Sequence, residues 1–246
     1  MLILEPDDPR AVAVIDAIHR GDVDAVQSML RAEPALATAR IGDPGPHALR
    51  ESRTLLHVAT DWPGNYPNSA VVIAALATAG ADVNARFTGP HTETPLHWAA
   101  SSDDVAALDA LLDHGADIDS PGAVIGDGDG TPLTDAVAFG QWNAARRLVE
   151  RGATTNLWQA AALGLLDRVA AMLGRGQALG PYDISQAFWC ACHGGQQDTA
   201  ALLLNHGADI NWLGYDYLTP LGAARRANAT SLVHWLEARG GRMSPV

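Results

Sequence analysis

Thr94-Pro95-Leu96-His97-Trp98-Ala99-Ala100, followed after a helical stretch by His114-Gly115-Ala116-Asp117, is the passage that decides the architecture. It returns as Thr131-Pro132-Leu133 with Gly152-Ala153, and as Thr219-Pro220-Leu221 with Gly240. Weaker copies are Thr54-Leu55-Leu56-His57 with Gly80-Ala81-Asp82-Val83-Asn84, and Phe188 through Gly207-Ala208-Asp209-Ile210-Asn211. A unit of this size cannot bury its apolar face alone, so the repetition implies units stacked on their neighbours.

The Leu nineteen positions before each closing Gly places Leu96, Leu133, Leu157, Phe188 and Leu221 in one column. Leu56 joins with an insertion, and Val14 joins if Glu33 stands in for the Gly. Seven units result, at about 9–40, 53–86, 93–120, 130–154, 155–178, 185–213 and 218–242, within a single domain over 1–246. Small residues after the column (Ala59, Ala99, Ala136, Ala160, Ala191, Ala224) let a first helix approach its partner closely. The second helix carries apolar residues at helical spacing, as in Val105, Leu108, Leu111 and Leu112. Each unit therefore reads as an antiparallel helix pair.

The punctuation has physical reasons. Thr before Pro offers an N-cap oxygen followed by a ring preset for the first helical turn. Gly80, Gly115, Gly152 and Gly207 stand where a helix ends in the left-handed conformation. With Thr-Pro-Leu-His, the small residues and Gly-Ala-Asp in these places, the chain resembles the ankyrin-repeat family over nearly its whole length. The resemblance implies an all-α solenoid of stacked helix pairs with β-turn fingers. It also implies that fingers and first helices build a concave binding groove, and that His57 and His97 are structural. Such a motif speaks for fold far more than for function.

Three departures individualise the chain. Leu56 to Gly80 spans 24 residues, and the surplus fits an inserted loop, Asp61-Trp62-Pro63-Gly64-Asn65-Tyr66-Pro67. The connection from Ile118 to Gly130 is long and rich in Gly and Asp. The one from Gly152 to Leu157 is too short for a full finger, which would leave a notch in the wall.

Two residues after the column Leu, a position facing partly into the groove reads Asp16, Val58, Trp98, Asp135, Gln159, Cys190 and Ala223. Ser101, Phe139 and His193 follow on the same face. These residues allow a central recess floored by Trp98, Asp135, Phe139, Trp158 and Gln159. Its sides would be a finger holding Arg86, Phe87, His91 and Glu93 and a later one holding Trp212 and Tyr215. Aromatic walls with converging polar groups suit a small molecule or a protein hot spot. The alternative is that the Trp residues fill gaps between units while the polar ones cap helices or meet solvent.

Catalytic and metal chemistry fit poorly. Asp135 and His193, two units apart with helices spaced about 8–10 Å, should lie on the order of 20 Å from each other, which breaks any Cys190-centred triad. On a helix Cys192 points roughly 200° from Cys190, so Cys190-Ala191-Cys192-His193 cannot easily share zinc. Asp127-Gly128-Asp129-Gly130 lacks the glutamate that closes a calcium loop. No catalytic residue, metal or cofactor is therefore assigned.

A net charge of −12 and the lack of a basic stripe argue against nucleic acid; Arg146-Arg147 and Arg225-Arg226 are isolated pairs. Met1-Leu2-Ile3-Leu4-Glu5-Pro6 is too short for a secretory segment and no apolar run approaches a membrane span, which points to a cytoplasmic protein. The function expected is a non-catalytic scaffold binding a protein or peptide in its groove, with a basic segment the natural partner of an acidic surface. A small-molecule binder, or an enzyme using the recess, is the alternative, for which seven Trp residues speak.

Overall fold

A computed structural model describes residues 2–42, 51–125, 128–174 and 179–244. Asp127 of the acidic loop and the end of the fifth repeat, 175–178, lie outside the described residues. The chain divides into two compact units, Met1–Ala153 and Thr154–Val246.

In the first unit the helices come in pairs: α1 (Pro9–Arg20) with α2 (Val23–Ala32), α3 (Leu55–Thr60) with α4 (Ser69–Thr78), α5 (Pro95–Ser101) with α6 (Val105–Asp113), and α7 (Pro132–Ala138) with α8 (Trp142–Glu150). First helices pack on first helices along the series α1, α3, α5, α7, and second helices on second helices along α2, α4, α6, α8. The second unit holds α9 (Leu157–Ala162) with α10 (Leu166–Gly174), α11 (Pro181–His193) with α12 (Gln197–Asn205), and α13 (Pro220–Arg226) with α14 (Thr230–Glu237). There α11 packs between α9 and α13.

The column lies in the core, with Val14, Leu56, Leu96, Leu133, Phe188 and Leu221 all buried, as are the small residues that follow them. Leu157 is only half-buried. Its helix α9 is one residue shorter at the start, and Asn156 caps it by accepting from the N–H of Gln159 at 3.0 Å. Glu33 does not reproduce the glycine it was aligned with: its φ is −136°, and a short 3-10 helix, Pro34–Thr38, follows.

What ties one repeat to the next is visible at three kinds of residue. His57 Nδ1 accepts from the N–H of Thr54 at 3.3 Å, so Nε2 carries the hydrogen and donates to the Glu93 carbonyl at 3.1 Å. His97 does the same between Thr94 and Gly130, at 3.1 and 3.4 Å. Asn84 donates to the Gly115 carbonyl and accepts from the Asp117 N–H, and Asn211 repeats this with Gly240 and Arg242. Finally, Asp103 accepts from the Ala144 N–H at 2.7 Å, capping the second helix of the following repeat. Gly115 and Gly207, with φ of 91° and 92°, terminate their helices where a side chain would be opposed.

A small sheet was not expected from the sequence. β1 (Ile3–Leu4) runs parallel to β2 (Arg40–Gly42), which pairs antiparallel with β3 (Ser52–Thr54). Buried Arg40 reaches from it to the Ser52 and Arg86 carbonyls at 2.6 and 2.8 Å, binding the sheet to the first finger.

Leu133→Ala removes a fully buried side chain of α7, the helix packed against α5 and α8, and is expected to cost about 2–5 kcal/mol. Leu157→Ala, at a half-buried site, should cost well under that in the same urea titration, and equal losses would contradict this burial pattern.

Candidate functional site

Trp98, Ser101 and Phe139 come together in the first unit, where they line a recess of about 480 Å³ with Asp61, Trp62, Glu93, Ser102, Val124 and Gln141. Local chemistry explains how each is placed. Trp98 and Ser101 follow the Thr94 cap on α5, and the Trp98 ring is braced edge-on by His57 at 4.9 Å and by Phe87 at 5.5 Å. Phe139 closes α7 and is 48% exposed. Gln141 donates to the Ser101 carbonyl at 2.8 Å, holding the two turns in register.

Trp62 comes from the inserted loop and is 79% exposed. That loop is tied down on both sides: Asn65 N–H donates to Asp104 at 2.7 Å, and Asn68 donates to the Gly21 carbonyl at 2.9 Å. Gly64, with φ of 72°, lies so close to Ser102 that a Cβ would come within 2.6 Å of that side chain. An exposed aromatic on a preordered loop is the kind of anchor that costs little to immobilise on binding. The spacing of the sequence revealed the insertion, but nothing in it showed that the loop folds back onto the turn between α5 and α6.

Asp135, expected in the floor, is not among the residues that line this recess; it is 1% exposed and lies beside Glu93. The backbone N–H groups of Val124 and Ile125 donate to its carboxyl, while Oδ1 has no partner among the described residues. Burial, and then the neighbouring Glu93, push its pKa up to about 7. Glu93 is itself raised by burial. Arg86 and His91 differ from each other: the Arg86 guanidinium is spent within the fingers, on the carbonyls of Thr92 and Pro121 and on Ser120, whereas His91 is exposed.

The remaining candidates belong to the second unit. Trp158 lines a recess of about 450 Å³ with Leu157, Met172, Leu179, Asp183 and Gln186. Gln159 is buried and its Oε1 accepts from the Asn156 N–H at 3.0 Å, so it caps α9. Trp212 stacks edge-on with Tyr182 at 5.6 Å. Tyr215 meets Trp189 at 5.2 Å, and His193 stacks on the same indole at 5.4 Å. Trp189 was not singled out from the sequence, yet it organises this surface: its Nε1 donates to the Leu218 carbonyl at 2.8 Å and Arg226 lies over its ring. Cys190 is buried, and desolvation pushes its thiol upward, away from the thiolate that nucleophilic chemistry needs.

A family profile for ankyrin repeats in three copies matches residues 68–157, and one for a single ankyrin repeat matches 187–214. The chain is an ankyrin-repeat protein. An ankyrin repeat and KH domain-containing protein of Caenorhabditis briggsae, CBG24701, is 28% identical over 190 residues, covering 74% of this chain and 7% of that protein. RelA-associated inhibitor of Mus musculus is 37% identical over 107 residues, covering 44% of this chain and 11% of that protein. The chain thus spans a small fraction of the curated relatives it matches. In structure it resembles the ankyrin repeat domain of human ASB11, with a TM-score of 0.51 and 20% identity over 95% of this chain and 99% of that one. Ankyrin repeats generally mediate protein–protein interaction. Among the described residues no helix is long and apolar enough to cross a membrane, and no three His, Cys, Asp or Glu side chains are grouped to hold a metal ion.

The buried groups of this ankyrin stack make opposite demands on pH. Asp135, raised from 3.8 to about 7, holds its proton more tightly folded than unfolded, so its contribution is full below about pH 3.8 and is lost as pH rises through 7. His57 and His97, held down by burial to about 3 and about 4, contribute fully above 6.5 and lose that contribution as pH falls toward those values. Asp135→Asn should therefore melt higher than wild type at pH 8 and no higher at pH 4. Thermal denaturation across that range is the check. A thiol-reactive dye added to the native protein should leave Cys190 and Cys192 unmodified until denaturant is present.

Proposed function

We propose that this chain is a non-catalytic scaffold that recognises a protein or peptide segment on the face built by its first helices and fingers, within one ankyrin-repeat domain. The observation that carries the reading is the recess of the first unit. Its exposed Trp62 and Phe139 are apolar surface that the fold itself does not need, since neither is buried among the helices. Trp98 and the buried Glu93 give that surface a fixed floor, and pre-formed pockets with aromatic anchors are where binding energy concentrates. In the second unit Tyr182, Tyr215 and Tyr217 supply further exposed aromatic surface, Tyr217 at 82%. The name of the mouse relative denotes association with another protein, which accords with this reading.

The volume of the recess, about 480 Å³, also falls within the range of small-molecule sites, and a ligand there is the second reading. The two separate on what the site selects. Peptides isolated on the wild-type chain from a random display library should lose about tenfold or more in affinity, the size of a modest hot spot, on Trp62→Ala. That variant should keep the wild-type melting temperature because the side chain is exposed. Peptides indifferent to Trp62→Ala and Phe139→Ala would overturn the placement of the site. A metabolite that raises the melting temperature of wild type but not of these variants would favour the second reading.

A further inference from the structure

The carboxylates around the recess of the first unit are not all answered by cations of the chain. Asp61 pairs with Arg53. Glu93, which lines the recess, and its buried neighbour Asp135 form no ion pair among the described residues, and burial raises the pKa of each. Asp135 is sealed from solvent with Oδ1 unpartnered, although its own neighbours Glu93 and Val124 and the residue one turn on, Phe139, all line the recess. Two buried carboxyls side by side are costly unless a cation completes them. Trp62, Trp98 and Phe139 line the same recess as Glu93, and Trp62 is held by its tethered loop.

We propose that this recess receives the guanidinium of an arginine side chain from the bound segment, with Glu93 as its ion-pair partner and Asp135, beside Glu93, as a supporting negative charge. The inference rests on the groove reading and names what the groove selects. A guanidinium is flat, weakly hydrated and forked, so it can lie on an indole or phenyl face while donating paired N–H groups to a carboxylate. An ammonium is a compact, strongly hydrated charge that would give up more water on entry. The recess exceeds one guanidinium in volume, leaving room for the methylene stem and part of a flanking residue. At longer range the net charge of −12 attracts a basic segment.

The probe is the peptide acetyl-Gly-Gly-Arg-Gly-Gly-amide, titrated into the full chain at pH 8 while the indole N–H resonances are followed. Trp62→Phe and Trp98→Phe assign those resonances. The arginine peptide should move both signals saturably, with a dissociation constant on the order of 1 mM. Its citrulline counterpart, alike in shape but uncharged, should leave them in place, and the lysine counterpart should bind more weakly. Glu93→Gln should weaken the arginine peptide about tenfold, as expected for removing one partner of a partly buried charge pair. Phe139→Ala, at a half-exposed side chain, should weaken it severalfold, with an unchanged circular dichroism spectrum showing that the variant is folded.

Equal shifts from citrulline, an unchanged affinity in both variants, or no saturation by about 10 mM would overturn the proposal. Failure of the broader reading looks different. Display-selected peptides that depend on Trp62 but tolerate citrulline at every arginine leave the groove standing and remove the arginine. Selected peptides indifferent to Trp62 remove both.

Discussion

No helix pair in this chain can bury its own apolar face, and that single constraint shapes everything else. A first helix of six or seven residues such as α3 or α5 is far too short to be stable alone. It persists because Leu56 and Leu96 are closed over by neighbours and because its first turn is capped by Thr54 or Thr94. The cap is not a local matter only. The imidazole that accepts from the capping residue's own N–H hands its other nitrogen to a carbonyl of the next repeat. Folding one repeat thus completes the hydrogen bonding of another, and burial keeps both imidazoles neutral so that they can do it.

The same dependence explains where the side chains that stacking does not use are placed. Positions used for stacking are filled by Ala and Leu and have little freedom to vary. Turns and fingers, which face outward from each pair, carry the residues that stacking does not require. In the first unit an insertion of a few residues between α3 and α4 brings Trp62 beside Trp98 and Phe139, and two asparagines fasten it to the turns on either side. In the second unit Trp189 is buried and spends its N–H on Leu218, and it orders Tyr215, His193 and Arg226 around itself. In both cases a buried or braced indole packs beneath neighbouring exposed aromatic surface.

Much of this was legible in the residues themselves. The spacing of Leu and Gly located the helix pairs, and Asp61 to Pro67 stood out as surplus. Asp135 was visible as a polar residue where an apolar one is customary, although it is buried and does not line the recess. Less legible was the division of labour among polar residues that look alike in a column. Gln159 and Asp135 share a column, yet Gln159 caps a helix that starts one residue late, while Asp135 is buried beneath a loop. Arg86, counted with the groove, is consumed by carbonyls of two fingers. Trp189, beside Cys190, carries no distinguishing signal in the sequence, because an aromatic on a helix looks the same whether it fills a gap or organises a surface.

The sequence by itself determined the repeat, its helix pairs and its capping chemistry, because these depend on contacts within a few turns or at a fixed period, which a linear string records directly. Only the tertiary structure decided which polar and aromatic side chains share a recess. It joined Trp62 to Glu93 and Phe139, and buried Asp135 beside Glu93. Those juxtapositions arise from how an irregular loop crosses the turns of its neighbours, and loops follow no period from which their path could be read.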